Sequence, residues 1–348
     1  MREISASLPS QAPVPAGTPE TTLLEVRDLS ISFRLEHSTV YAVQGLSLDV
    51  RAGERVGLVG ESGSGKSVSA MSVLRMVPAP GKITGGQIIF EGRDLLRLPP
   101  AAMRGIRGGK IGMIPPNPLS SLDPVITIES HFQEVLSRHL GLGKKQASEQ
   151  AIEVLRSVGI PDPATRIHEF PHRLSGGQRQ RVMIALAMAC QPRLLIADEP
   201  TTALDVTIQA QILELFDDLV ERSNLGAILI THNLGIVAGH CDRVMVMYAG
   251  RMMETATVFD LFAQPSHPYT VGLLKCVPRL TATRSRVFES IPGLPPEVTQ
   301  FRAGCPFAPR CERATDRCRT ETPPFREIYP AHSVACWHPV TGASGMTS

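Results

Sequence analysis

Short apolar segments rich in β-branched residues alternate along this chain with segments of helical periodicity. Near the N-terminus, Leu23–Val26, Ser30–Leu35 and Val40–Val50 favour an antiparallel β-layer. Further along, apolar strands such as Arg55–Val59 and Arg193–Ala197 are each followed by a helix, and this alternation indicates a mostly parallel sheet. The predicted fold class is therefore α/β, with a mixed sheet at its core and an added antiparallel β-layer.

A different pattern occupies the middle of the chain. Ile126–Leu140 and Gln146–Ser157 carry apolar residues at helical spacing, and a third helix is predicted over Gly177–Cys190. These segments stand between two predicted strands of the sheet. We therefore expect an all-helical subdomain, at about residues 117–190, inserted into the α/β core.

A glycine-rich loop with the sequence GESGSGKS, at Gly60–Ser67, lies between the strand Arg55–Val59 and a predicted helix. Strand, glycine loop and helix form the context of a phosphate-binding loop, in which backbone N–H groups and the helix start surround phosphate oxygens. Lys66 would reach the β- and γ-phosphates, and Ser67 would offer its hydroxyl to Mg²⁺. The predicted phosphate-binding residues are Ser62, Gly63, Ser64, Gly65, Lys66, Ser67 and Val68.

Two acidic residues, Asp198 and Glu199, end the apolar strand that begins at Arg193. The carboxyl ends of parallel strands lie along one edge of a sheet, so both acids are expected beside the phosphate loop. Asp198 is predicted to hold Mg²⁺, directly or through water. Glu199 is predicted to polarise an attacking water as a general base.

A second glycine-rich element has the sequence LSGGQ at Leu174–Gln178. It lacks a lysine, but Ser175 and the N–H groups of Gly176 and Gly177 at a helix N-terminus still form an anion site. Together, the phosphate loop, LSGGQ and Asp198-Glu199-Pro200 resemble the nucleotide-binding subunits of ABC transporters. The resemblance implies a P-loop NTPase core that binds and hydrolyses ATP.

This resemblance also implies roles for residues outside the glycine loops. Tyr41 would stack on the adenine of ATP, and His232 would contact the γ-phosphate. Ala203-Leu204-Asp205 resembles the D-loop, which lies at the seam between two subunits. In the family, two such subunits pack head to tail, so Ser175, Gly176, Gly177 and Gln178 would complete the ATP site of the partner.

One position departs from the family pattern. The family's Q-loop follows a strand with Phe-Gln-Asn/Asp-Pro, whereas this chain has Pro115-Pro116-Asn117-Pro118. Pro116 offers no side-chain donor or acceptor and restricts φ. Our hypothesis is that this chain's own ATP site hydrolyses slowly. The alternative, in which water or the partner replaces the lost contact, stays open.

The C-terminal part of the chain resembles the oligopeptide, dipeptide and nickel importer ATPases more specifically. The segments that carry this resemblance are His267–Thr270, Ile291–Pro296, Gly304–Phe307, Arg310-Cys311 and Asp198–Gln211. The implied solutes are di- and oligopeptides. The implied partners are a second ATPase subunit, two transmembrane permeases and an extracytoplasmic solute-binding protein, and Pro116 favours a different chain as the second ATPase subunit. The implied location is the cytoplasmic face of the cell membrane.

A cysteine-rich extension is expected over residues 266–340, with only short helical pieces such as Tyr269–Leu274. Four thiolates suit Zn²⁺ or an iron–sulfur cluster. The spacing lacks the cysteine pairs, about two to four residues apart, that zinc sites favour. This and the importer resemblance favour a structural [4Fe–4S] cluster, with zinc and free thiols as alternatives. The four cysteines are Cys305, Cys311, Cys318 and Cys336.

Composition bounds the remaining possibilities. The chain of 348 residues has a formal net charge of +2 and only 5% aromatic residues, which argues against nucleic acid as a partner. Residues 1–21 are predicted to be a disordered tail without the apolar core of a signal peptide. The ABC domain is expected over residues 22–265, and a frayed end over 341–348. The alternative functions are a non-transport ABC ATPase and a catalytically silent regulatory subunit.

Overall fold

The computed structural model describes residues 22–202, 204–277, 291–296 and 303–340. The predictions for the tail over 1–21, for the end over 341–348 and for Ala203 fall outside these residues. The strands are β1 (Thr22–Arg34), β2 (Thr39–Arg51), β3 (Arg55–Val59), β4 (Gly81–Phe90), β5 (Arg93–Asp94), β6 (Ile111–Ile114), β7 (Leu194–Asp198), β8 (Gly226–Thr231), β9 (Arg243–Tyr248), β10 (Arg251–Thr257), β11 (Arg326–Tyr329) and β12 (His332–Val334). The helices are α1 (Lys66–Val73), α2 (Pro100–Ile106), α3 (Pro118–Ser121), α4 (Ile128–Leu140), α5 (Lys144–Ser157), α6 (Pro163–Arg166), α7 (Gly176–Met188), α8 (Val206–Ser223), α9 (Leu234–His240), α10 (Val258–Ala263), α11 (Pro268–Lys275) and α12 (Asp316–Thr320).

The main sheet has the α/β architecture that the sequence predicted. Over the described ranges it contains eight strands in the order β11-β12-β10-β9-β3-β8-β7-β6. The five strands from β9 to β6 are parallel, whereas β10, β12 and β11 pair in the antiparallel sense. Every residue of β7 and β8 is buried, which is typical of the central strands of a parallel sheet.

The predicted antiparallel layer is a separate sheet with the strand order β2-β1-β4-β5. The sequence predicted two strands, Leu23–Val26 and Ser30–Leu35, where the structure has the single strand β1. The pairing register of β1 shifts beside Asp28, whose φ is 48°, and this irregularity lies between the two predicted strands. The apolar face of this layer packs in one hydrophobic cluster with Val56 and Leu58 of β3. The layer is thereby fixed directly above the strand that leads into the phosphate loop.

Between β6 and β7, the described chain forms α3 to α7 and no strand. Helix α4 begins where the Thr127 hydroxyl accepts a hydrogen bond from the N–H of Ser130, and it ends at Gly141, whose φ is 68°. Phe132 and Leu136, four residues apart, place the buried side of α4 against the other helices. No helix in the described ranges is both long and apolar enough to cross a bilayer.

The C-terminal extension is joined to the main sheet, whereas the sequence analysis expected only short helical pieces there. Strand β12 pairs with β10 and carries β11 at the sheet edge. Glu254 of β10 is fully buried. Its carboxylate accepts hydrogen bonds from the N–H groups of Ser266 at 2.6 Å and His267 at 2.9 Å, and it lies 2.7 Å from Nε2 of His332. A buried carboxylate with three polar partners thus links two parts of the extension, at Ser266–His267 and at His332, to the core.

Candidate active site

The predicted catalytic and phosphate-binding residues lie at one edge of the main sheet. In the sheet register, Val59 of β3 pairs with Thr231 of β8, and Asp198 of β7 pairs with Ile230. The carboxyl ends of these strands, and of β6 beside them, therefore lie side by side. The residues that follow these strand ends are the phosphate loop, Pro116, Glu199 and His232.

Two glycines of the phosphate loop have no room for a side chain. Gly60 has a φ of 152°, and a Cβ there would lie 2.2 Å from the carbonyl oxygen of Met247. Gly65 has a φ of 97°, and a Cβ there would lie 2.5 Å from the carbonyl oxygen of Ala42. Ala42 follows Tyr41 in β2, so the strand that carries the predicted adenine-stacking residue lies directly against the loop.

Lys66 is enclosed by the loop that it follows, and its side chain is only 6% exposed. Its Nζ donates to the carbonyl oxygens of Gly60 at 2.7 Å and Glu61 at 2.9 Å, and to the Ser64 hydroxyl at 3.2 Å. Burial lowers the pKa of Lys66, while nearby carboxylates oppose that shift. The ammonium therefore lies at the centre of the loop, and Ser62 and Gly63 lie exposed at its tip.

The predicted magnesium ligands lie next to each other. The Ser67 hydroxyl, in the first turn of α1, donates to Oδ1 of Asp198 at 3.0 Å. Asp198 is buried, and this burial raises the pKa of its carboxyl despite the hydrogen bond from Ser67. A hydroxyl and a carboxylate at this separation supply two oxygen atoms of the kind that Mg²⁺ prefers.

Glu199 and His232 form a direct contact. Oε1 of Glu199 lies 3.0 Å from Nδ1 of His232, and Oε2 accepts a hydrogen bond from the Thr202 hydroxyl at 2.9 Å. Burial acts to raise the pKa of Glu199, but the hydrogen bonds from His232 and Thr202 outweigh it and the pKa is lowered. Glu199 also has a φ of 45°, an uncommon conformation for a side-chain-bearing residue. The carboxylate is thus ionised and aimed by two partners, of which the sequence analysis missed Thr202.

The LSGGQ residues form the start of α7. The Ser175 hydroxyl accepts from the N–H of Gln178 at 3.2 Å, and Oε1 of Gln178 accepts from the N–H of Ser175 at 3.0 Å. A Cβ on Gly177 would lie 2.9 Å from Ile208 of α8, so glycine permits this close approach. Asp205 caps α8 by accepting from the N–H of Ile208 at 3.0 Å. In the part of the chain that is described, no hydrogen bond joins Ser175 or Gln178 to this chain's own phosphate loop.

Pro116 lies in the connection between β6 and α3 and is exposed. Met113 and Ile114, just before it, pair in parallel with Ile196 and Ala197, just before Asp198. The position where the family has glutamine is therefore at the same sheet edge as Asp198, and in this chain it carries no polar side chain.

Two further residues contact the phosphate loop, and the sequence analysis gave neither of them a role. Tyr269 Oη accepts a hydrogen bond from the N–H of Glu61 at 2.8 Å, and Nη1 of Arg310 donates to Oε2 of Glu61 at 2.7 Å. Both residues belong to the C-terminal extension. The sequence contains no local signal for these contacts, because the partners are more than 200 positions apart along the chain.

The cysteines of the extension converge on one cavity. Cys305, Cys311, Cys318 and Cys336 line it together with His267. Burial raises the pKa of Cys305 to about 12 and that of Cys336 to about 11, so both are neutral thiols in the absence of a bound cation. Among the described His, Cys, Asp and Glu side chains, no group of three or more is arranged to hold a metal ion. The geometry thus gives no support to the predicted [4Fe–4S] cluster or to its zinc alternative.

Comparison with known proteins identifies the family. The family model for ABC transporters matches residues 43–202, and that for the C-terminal region of oligopeptide/dipeptide transporters matches residues 253–318. The oligopeptide transport ATP-binding protein OppD of Salmonella typhimurium is 46% identical over 331 residues, which cover 95% of this chain and 97% of that protein. This chain belongs to the ATP-binding proteins of ABC transporters.

Other relatives agree with this assignment. The dipeptide transport ATP-binding protein DppD of Bacillus subtilis is 47% identical over 316 residues, which cover 90% of this chain and 94% of that protein. A solved dimeric ATP-binding cassette in a post-hydrolysis state with ADP and Pi is similar with a TM-score of 0.59 and 25% identity, covering 68% of this chain and 98% of that chain. The predicted family and its P-loop fold are thus confirmed, and this ABC protein is an ATPase whose hydrolysis is coupled to transport.

Proposed function

We propose that this ABC ATPase drives the uptake of di- and oligopeptides through transmembrane permeases. The observation that carries the proposal is the match of residues 253–318 to the C-terminal region of oligopeptide/dipeptide transporters, because that region lies beyond the general ABC match. Relatives aligned over at least 90% of the chain are named for oligopeptide and dipeptide transport. The ATPase would work at the cytoplasmic face of the membrane, with two permeases, an extracytoplasmic solute-binding protein and a second ATPase subunit.

The proposed organisation divides the chain by task. Residues 22–265 form the nucleotide-binding domain. The helical subdomain at about 117–190 within it carries the LSGGQ sequence at Leu174–Gln178, called the signature below, which completes the partner's site. Residues 266–340 form the extension characteristic of the peptide importers. The helices α3 to α7, which follow one another between β6 and β7, support the assignment of a helical subdomain.

The proposed chemistry is attack of water on the γ-phosphate of ATP. The loop N–H groups and Lys66 would bind the phosphates, and Tyr41 would stack on adenine. Mg²⁺, held by Ser67 and Asp198, would neutralise phosphate charge when bound. Glu199, ionised and oriented by Thr202 and His232, would accept a proton from the attacking water, and His232 would contact the γ-phosphate.

The signature would act in trans. In a head-to-tail pair, Ser175, Gly176, Gly177 and Gln178 would present the start of α7 to the triphosphate held by the other subunit. The mutual hydrogen bonds of Ser175 and Gln178 support this role, because they fix the helix start before a partner arrives. Asp205, at the start of α8 beside them, would line the seam.

Reconstituted transport tests the proposed function. The tagged chain, purified with the membrane proteins that accompany it and placed in vesicles with its solute-binding protein, is expected to accumulate labelled di- or tripeptides only when ATP is supplied. Lys66→Ala should abolish uptake, whereas Lys145→Ala, an exposed lysine of α5, should not. Association with nucleic acid in place of permeases would support the non-transport alternative. Uptake of nickel complexes without peptides would contradict the proposed solute.

We further propose that Pro116 slows hydrolysis at this chain's own ATP site. The position lies at the sheet edge beside Asp198, where the family's glutamine amide would help place Mg²⁺ and the attacking water. Loss of one such positioned polar group lowers rates by roughly 100-fold in other enzymes. The faster site of the assembly would then be the one that this chain completes with its signature, which favours a different chain as the ATPase partner.

Pro116→Gln in the assembled transporter is expected to raise ATP turnover about twofold or more, since a slowed site would join the faster one. Steady-state phosphate release measures the effect. Pro115→Gln, which places the same side chain one residue earlier, should give no gain. An unchanged rate in Pro116→Gln would count against the impairment, and would favour water or the partner as the source of the missing contact.

For the cysteine cavity we propose a [4Fe–4S] cluster. A cluster spreads its four thiolate ligands around a volume, whereas a single ion draws them to one point. The four cysteines line one cavity, and this convergence supports the proposal, although no group of three or more described His, Cys, Asp or Glu side chains is arranged to hold a metal ion. His267, 1% exposed, adds support: Nδ1 accepts from the N–H of Tyr269 at 3.0 Å, so Nε2 carries a proton that has no acceptor among the described residues. A thiolate or sulfide would be a suitable acceptor for this buried donor.

A further inference from the structure

Two residues from outside the nucleotide-binding domain hold the phosphate loop through Glu61. Its N–H donates to Tyr269 Oη at 2.8 Å, and its Oε2 accepts from Arg310 Nη1 at 2.7 Å. Its carbonyl oxygen, in turn, accepts from Nζ of Lys66 at 2.9 Å. One residue of the loop therefore connects the lysine that would bind the phosphates to two residues of the C-terminal extension.

Arg310 is buried and is held by several hydrogen-bond partners besides Glu61. The side chain is 6% exposed, and its remaining N–H groups donate to the carbonyl oxygens of Ile291 at 3.1 Å and Pro292 at 2.9 Å. Nη1 also donates to Tyr248 Oη at 3.2 Å. A guanidinium with this many fixed partners has little freedom to leave Glu61.

The aromatic residues around Arg310 add rigidity. The rings of Tyr248, Tyr269 and Phe307 are all buried, with centroids 4.6 to 5.3 Å apart. The guanidinium carbon of Arg310 lies 5.8 Å from the centre of the Tyr248 ring. The hydroxyl that binds Glu61 and the guanidinium that binds Glu61 therefore stand on one packed cluster.

We propose that Arg310 and Tyr269 are positioning residues for the phosphate loop. They fix Glu61, and through its carbonyl they fix Lys66 in the position from which it binds the triphosphate. The nucleotide affinity of this ATPase thus depends on its C-terminal extension, which lies outside the general ABC match. The proposal concerns ATP binding and holds whatever solute the transporter carries.

Arg310→Met in the full-length chain is expected to raise the Kd for MgATP about tenfold, measured with a fluorescent ATP analogue. Replacing the guanidinium with a thioether leaves the Glu61 carboxylate without its buried partner, so the loop loses its fixed geometry. Glu61→Gln should weaken binding to a similar extent, and the double variant no more than either single one. Tyr269→Phe, which keeps the ring and removes only the acceptor, should shift the Kd in the same direction.

The control separates positioning from general stability. Arg243, 16% exposed, makes comparable ion pairs with Glu54 at 2.7 Å and Asp49 at 3.0 Å, but it lies at the opposite end of β3 from the loop. Arg243→Met should lower the Tm and leave the Kd unchanged. Lys66→Ala should abolish binding, which shows that the assay reports the phosphate loop.

Three outcomes would overturn the proposal. They are an unchanged Kd in Arg310→Met, additive effects of Arg310→Met and Glu61→Gln, and an equal loss of affinity in Arg243→Met. If Arg310→Met does not fold, Arg310→Lys provides the test, because it keeps the charge and loses the fork that binds Ile291 and Pro292. Its Kd should lie above that of the unmodified chain, and a Kd unchanged in both Arg310→Lys and Tyr269→Phe would also overturn the proposal.

Discussion

Replacing Ser175 with aspartate is expected to lower the ATP turnover of the assembled transporter about 100-fold, as loss of a transition-state contact does elsewhere. Ser175 caps α7 by accepting from the N–H of Gln178. Aspartate is an equally good cap, so the helix start should remain intact. Its negative charge, however, would face the triphosphate held by the partner subunit. Steady-state phosphate release, with expression and Tm as folding checks, measures the effect.

Ser175→Asn is the matched control. Asparagine also caps helices well but carries no charge, so its turnover should fall far less than that of Ser175→Asp. Equal losses in the two variants would show that the hydroxyl itself is needed and that charge is irrelevant. Normal turnover in Ser175→Asp would contradict the proposal that this chain's signature completes the faster site.

Local features made much of the fold and site predictable. Gly60 and Gly65 have positive φ values, and neither position has room for a Cβ. Only glycine fits there, so the glycines of the motif predict the geometry of the loop. Strand β3 agrees with the predicted range Arg55–Val59 because it is a short apolar run between Gly53 and Gly60.

The extension was harder to predict because distant contacts determine it. Strand β10 contains Glu254, and a charged residue in a short strand weakens the hydrophobic pattern that would reveal it. Glu254 is buried only because Ser266, His267 and His332 supply its partners, up to 78 positions later. The contact of Arg310 with Glu61, 249 positions away, is likewise a product of the folded chain.

Purification of the full-length chain without oxygen is expected to yield about four iron atoms and about four acid-labile sulfides per chain, as a [4Fe–4S] cluster requires. Burial raises the pKa of Cys305 to about 12 and that of Cys336 to about 11, and a bound cluster would stabilise their thiolate forms. Cys318→Ala, which removes one buried ligand, should lose most of the iron and sulfide. Because the cluster would bind only the folded extension, this variant should also be cleaved faster by protease there.

Cys276 provides the matched control for that prediction. It is an exposed cysteine at the end of α11 and does not line the cavity. Cys276→Ala should therefore keep its full iron and sulfide content and its resistance to protease. Zinc without labile sulfide would contradict the cluster in favour of a single ion, and a chain free of both metals would contradict any metal role for the four cysteines. Equal iron in Cys318→Ala and Cys276→Ala would show that the iron binds elsewhere.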